Sequence, residues 1–165
     1  MEFRSRAVKS LVELHEIEMR RFLATWDRYV ESGAALPEGR DDPDYASPDH
    51  LVTHAVRAAR GYLIRVSEWV GRPASELDPT RDPAAIVPRL HEHVEETLAA
   101  WRRHLAALED RELASRHIVQ WGGVEESFSV EQMLEHAVVH PMRHRIQLER
   151  ILVAAESGVG GTLPS

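Results

Sequence analysis

The sequence predicts an all-α fold, a four-helix bundle, and three observations carry that prediction. Four stretches place apolar residues at helical spacing. Three of them open on cap signals: Ser47-Pro48, Asp82-Pro83, and Ser129 followed by Gln132. The chain of 165 residues is also long enough to bury one sound core, so residues 1–165 read as a single domain.

The first helix is expected from about Phe3 to Glu31. Val8, Leu11, Val12, His15, Met19, Phe22, Trp26 and Tyr29 trace its buried stripe. His15 lies inside that stripe, so it is either a hydrogen-bonded core histidine or part of a site. Ser32–Ala46 follows without periodicity, rich in Gly, Pro and Asp, and reads as a long connector able to border a site.

Ser47 as N-cap and Pro48 in the first turn start the second helix. Leu51, Ala55, Ala58, Tyr62, Val66 and Trp69 form its inward stripe. His54 lies on the edge of that stripe, and His50 falls in the exposed first turn. Ala58 and Gly61 are small enough for a helix or a ligand to approach closely.

Gly71–Asp82 is a second long connector. A third helix is expected from Asp82-Pro83 to about Leu108, with Leu90, Val94, Leu98, Trp101, Leu105 and Leu108 inward. His91, His93 and His104 fall outside the centre of that stripe and read as surface or flanking residues. Asp110–Leu113 looks like a further turn. From Ser115 to Phe128 the period changes, and Gly122-Gly123 between two short runs predicts a hairpin whose Trp121 packs over the end of the helices.

The last helix, Ser129–Ala155, carries His136, His140 and His144, each four residues from the next. Successive members turn by only about 40° and advance about 6 Å, so neighbouring imidazoles project side by side. His140 and His144 can therefore close on one metal ion. His136 has turned about 80° from His144 and does not converge with both. Pro141 between the pair predicts a kink. Ten histidines also give accidental i, i+4 pairs, so packing is the competing reading of this spacing. Against it, His140, His144 and Gln147 share a face with apolar residues on either side, and buried polar groups need partners.

Composition narrows the chemistry. There are no cysteines, which excludes disulfides, thiolate metal sites and a cysteine nucleophile. The net charge of −7 argues against nucleic-acid binding. No apolar run is long enough to span a bilayer and no signal-peptide core is present, so the expectation is a soluble cytoplasmic protein.

The pattern His136-x3-His140-x3-His144-Arg145-x-Gln147 in a last helix, with Leu51-Val52-Thr53-His54 opening a second, resembles the DinB/YfiT superfamily. Ile146 stands where members often have glycine, and Pro141 is a local variation. The resemblance implies a four-helix bundle whose metal ligands are His54, His140 and His144, with His136 outside that set. It also implies a divalent metal, zinc or nickel, a long crossover between the second and third helices, and a homodimer.

Three imidazoles leave an open position for water or a low-molecular-weight thiol cosubstrate. The activity the resemblance implies is a metal-dependent thiol S-transferase or a hydrolase acting on a small molecule. The rival readings are a non-catalytic, stress-related metal-binding protein and a plain bundle whose histidines pack. No residue is singled out as a general base, with Glu13, Glu16 and Glu135 the candidates.

Overall fold

The computed structural model describes residues 2–36, 46–77, 82–121 and 123–157. The chain is mostly helical, with one small two-stranded sheet. The elements in order are α1 (Arg6–Ser32), α2 (Pro48–Trp69), α3 (Pro83–Ile86), a 3-10 turn (Val87–Arg89), α4 (Leu90–Leu105), α5 (Asp110–Leu113), β1 (Arg116–Trp121), β2 (Val124–Ser129) and α6 (Val130–Glu156).

Local signals explain most boundaries. Ser5 caps α1, accepting from the Val8 amide, so the helix begins three residues later than Phe3. Gly33 ends it with φ 64°, the left-handed conformation in which glycine carries no Cβ penalty. Ser47 caps α2 with Pro48 in the first turn. Ser129 and Gln132 form a reciprocal capping box at the start of α6. The hairpin is present, pairing Trp121 with Val124 across a two-residue turn in which Gly123 has φ 84°. The packing expected of the Trp121 side chain lies outside the described residues, as do most of the Ser32–Ala46 connector and residues 78–81.

The third helix differs from expectation. It breaks into α3, a 3-10 turn and α4, and α4 ends at Leu105 rather than Leu108. Pro88 sits at the break: it has no amide hydrogen to donate, and its ring crowds the carbonyl one turn back. In contrast, α6 is helical without interruption through Pro141.

Two apolar clusters reveal how the helices run. One gathers Met19–Tyr29 of α1, Leu51–Ala59 of α2, Leu90–Leu98 of α4 and Leu148–Leu152 of α6. The other gathers Val8 and Val12 of α1, Tyr62–Val66 of α2, Ala100–Leu105 of α4 and Val130–Ala137 of α6. Along the chain, α1 and α6 pass from the second cluster to the first, while α2 and α4 pass from the first to the second. Hence α1 and α6 run one way and α2 and α4 the other. Surface polar contacts between α1 and α4 agree, since Glu16 meets Arg102, Arg20 meets Glu95 and Asp27 meets His91.

Polar groups brace the α2–α4 contact. Buried Arg60 donates to Thr97 Oγ1 at 2.9 Å, to His93 Nδ1 at 2.8 Å and to the His93 carbonyl at 3.3 Å. Trp101 Nε1 donates to the Ala59 carbonyl at 3.0 Å. Beside them, Gly61 faces open space, with nothing within 4 Å of where a Cβ would stand, so no close approach depends on it. The hairpin docks through Val119, which is buried, and His117, which stacks on Trp69 at 4.4 Å. No helix among the described residues is long and apolar enough to cross a membrane.

Candidate metal centre

Three histidines from two helices running in opposite directions meet on the α2–α6 contact. His54 comes from the second turn of α2, a position set by the Ser47 cap. His140 and His144 occupy successive turns of α6, in the gap between Ala137 of one apolar cluster and Leu148 of the other. His54 Nε2 lies 3.0 Å from His140 Nε2. Ring centroids are 4.9 Å apart for His54–His140, 5.1 Å for His54–His144 and 4.6 Å for His140–His144.

One donor nitrogen from each ring lies within 4.8 Å of the others, so the group could hold a metal ion. Tetrahedral zinc with bonds near 2.0–2.1 Å would set its ligands roughly 3.3 Å apart. The 3.0 Å pair is close to that spacing.

Hydrogen bonding and burial prepare the rings as donors. His144 Nδ1 donates to Gln147 Oε1 at 2.9 Å, which leaves the lone pair on Nε2. His144 is buried, at 3% exposure. His140 Nδ1 is buried with no hydrogen-bond partner. Burial first, then the neighbouring His144, His54, His136 and Arg143, push the His140 pKa down to about 2. The ring is therefore neutral, the state a metal requires. Three converging imidazoles, with His144 buried and His140 neutral, fit a bound cation.

The remaining histidines stand apart from this cluster. His136 packs near Tyr62, at 5.5 Å between ring centroids, and Phe128, at 6.4 Å. Burial lowers its pKa, with Arg143 adding to the effect. His15 is fully buried but belongs elsewhere, stacked on Trp101 with centroids 3.9 Å apart. His91 pairs with Asp27, His104 with Glu76, and His50 with Ser47. His93 and His104 are flanking residues with side chains only 12% and 16% exposed, and His93 braces Arg60. Sequence reading missed that brace, because Arg60 lay off the apolar stripe and nothing in its neighbours marked it as buried.

No carboxylate joins the cluster among the described residues. Glu16 is held by Arg20 and Arg102, and Glu13 pairs with Lys9. Glu135 is exposed on α6. Tyr62 borders the site instead, its ring centroid 5.7 Å from that of His140. Burial raises its pKa to about 12, so the phenol stays protonated.

The class these features define is a helical protein with a three-histidine cluster suited to a metal ion. Comparison of the chain with protein-family models, curated proteins and solved structures finds no match in any of the three.

Proposed function

We propose that the protein is a divalent-metal-dependent enzyme of the DinB/YfiT-like type, a four-helix bundle with His54, His140 and His144 as its metal ligands. The observation that carries this reading is the meeting of three donor nitrogens within 4.8 Å, with no fourth histidine or carboxylate joining them among the described residues. Such an incomplete set suits catalysis, because a closed structural site fills all four positions from the protein. The run of the helices also supports the bundle reading, since α2 and α4 share a direction and need a long crossover between them.

Zinc or nickel held there would supply Lewis acidity, lowering the pKa of a bound water or thiol and polarising a substrate atom. The protein's own residues provide the setting. His140 stays neutral through burial, and Gln147 fixes the tautomer of His144. Tyr62 stands beside His140, and His136 packs on Tyr62 in turn. With no cysteine in the chain, a thiol nucleophile must arrive as a cosubstrate. The reaction is accordingly a thiol S-transfer to a small electrophile or a hydrolysis.

A second reading is a metal-binding protein without catalysis. It draws on the ion pairs that occupy Glu13 and Glu16, and on the lack of a carboxylate at the cluster among the described residues. Metal analysis of protein purified without a nickel column tests both, with one equivalent expected in wild type and little in His140→Ala. Turnover of a thiol–electrophile panel, or of an ester and amide panel, by the metal-loaded protein then separates enzyme from binder. A wild-type chain that takes up no zinc or nickel overturns both readings.

A further inference from the structure

The histidine cluster is buried on one side and accessible on the other. His144 is buried, whereas His54 and His140 are half-buried along the outer edge of the α2–α6 contact. On α6 that edge continues through His136 and Arg143, both exposed. They stand four residues before and three residues after His140, turned from it by about 40° and 60° to the same side, away from His144. On α2 the edge is low. Ala58 follows His54 by one turn and Gly61 by two, and nothing lies within 4 Å of where a Gly61 Cβ would stand. These small residues leave space for a small molecule beside the imidazoles.

Charge along this edge is one-sided. The groups whose charge acts on His140 are His144, His54, His136 and Arg143, with no carboxylate among them. Glu126 of β2 acts on His136, which stands about 10 Å along the helix from Arg143. Among the described residues Arg143 makes no ion pair or hydrogen bond, whereas Arg145, two residues on, holds both Glu18 and Glu149. In a chain of net charge −7, an exposed arginine one turn from the cluster and without a carboxylate of its own is placed to receive one from outside. A guanidinium offers paired N–H donors that match the two oxygens of a carboxylate.

We propose that Arg143 determines specificity by anchoring the carboxylate of a small anionic substrate whose reacting end lies at His54, His140 and His144. The inference rests on the metal-enzyme reading above. It adds the class of molecule the site takes, one with a carboxylate a few bonds from the atom that reacts.

Cobalt(II) loaded into the full chain tests it, because thiolate binding changes the absorption spectrum of that ion. The probes are β-mercaptopropionate and its neutral amide, titrated separately. Arg143→Gln should weaken the acid about tenfold, within what charge-assisted hydrogen bonds contribute, and leave the amide and cobalt uptake unchanged. Arg143→Lys should recover part of the loss. Arg150→Gln removes an exposed arginine about 10 Å further along α6 and should change neither probe. Several results would overturn the proposal while leaving the metal reading in place: a spectrum that neither probe moves, an acid titration unmoved by Arg143→Gln, acid and amide weakened together, equal losses in Arg143→Gln and Arg150→Gln, or cobalt uptake lost in Arg143→Gln alone. A wild type that takes up no cobalt would overturn both.

Discussion

Two histidine environments sit in one protein, and they behave oppositely. His15 is sealed in the core of α1 against Trp101, with neither ring nitrogen hydrogen-bonded. His140 is only half-buried, though its Nδ1 is enclosed and orphaned, and its Nε2 points at His54 with a third imidazole one turn away. Burial alone pushes the His15 pKa down to about 3, whereas His140 is lowered by burial and by its neighbours together. The lesson is that company, rather than depth, separates a histidine that merely packs from one equipped to bind.

The sharpest way to break that contrast is to remove a ligand from the cluster. His140→Ala should lower zinc or nickel affinity by on the order of 100-fold or more, exceeding the usual cost of losing a group that only orients a ligand. Isothermal titration calorimetry reads this directly. Retained affinity would place His140 with His15 among the packing residues.

Acid separates the two environments next. His15 has a folded pKa near 3, below the unfolded value of about 6.5, so the unfolded chain binds a proton that the folded chain refuses. Its stabilising contribution is complete above pH 6.5 and declines as pH falls toward 3. The loss is about 1.4 kcal/mol per pH unit within that window. Urea denaturation at pH 6.5 and 4.5 should show a wild-type slope that His15→Leu reduces by about that amount, the remainder coming from His140 and other groups. Equal slopes in the two proteins would mean that acid acts elsewhere.

A gentler change tests how far company extends. Gln147→Leu removes the acceptor for His144 Nδ1 and frees the ring to adopt the other tautomer. Metal affinity should fall about 10-fold, the lower end of the range for groups that orient a ligand. The same substitution should leave the acid slope set by His15 untouched.

The smallest effect is expected from a chelator. Two apolar clusters hold the helices together without an ion, so helical circular dichroism should survive metal removal. Added metal should raise the melting temperature by mass action alone. Collapse of the helical signal on chelation would make the cluster a structural site instead.

How much of this was legible in the sequence depended on whether the cause was local. Helix starts at Ser47 and Ser129 were legible because a cap is a contact between residues two or three apart. The hairpin was legible in Gly122-Gly123. The break at Pro88 was signalled by its own residue type, but the apolar stripe across it read as continuous. The His140–His144 pair followed from helical spacing. Its meeting with His54 did not, and came only from the resemblance, which Leu51-Val52-Thr53-His54 in the second helix and the pattern in the last helix carry together. The separation of His15 from the cluster was invisible, since a stripe position tells depth and not neighbours. The Arg60–His93 brace was hidden for the same reason, as its partners lie 33 residues apart.

His54 and His140 are separated by 86 residues of chain. While the protein is being made, everything through α4 can be complete and the chain still owns only one of the three imidazoles. The cluster comes into being when α6 leaves the ribosome and lies down beside α1 and α2. A cation that needs all three therefore has no home on a partial chain, and its uptake marks the arrival of the last helix.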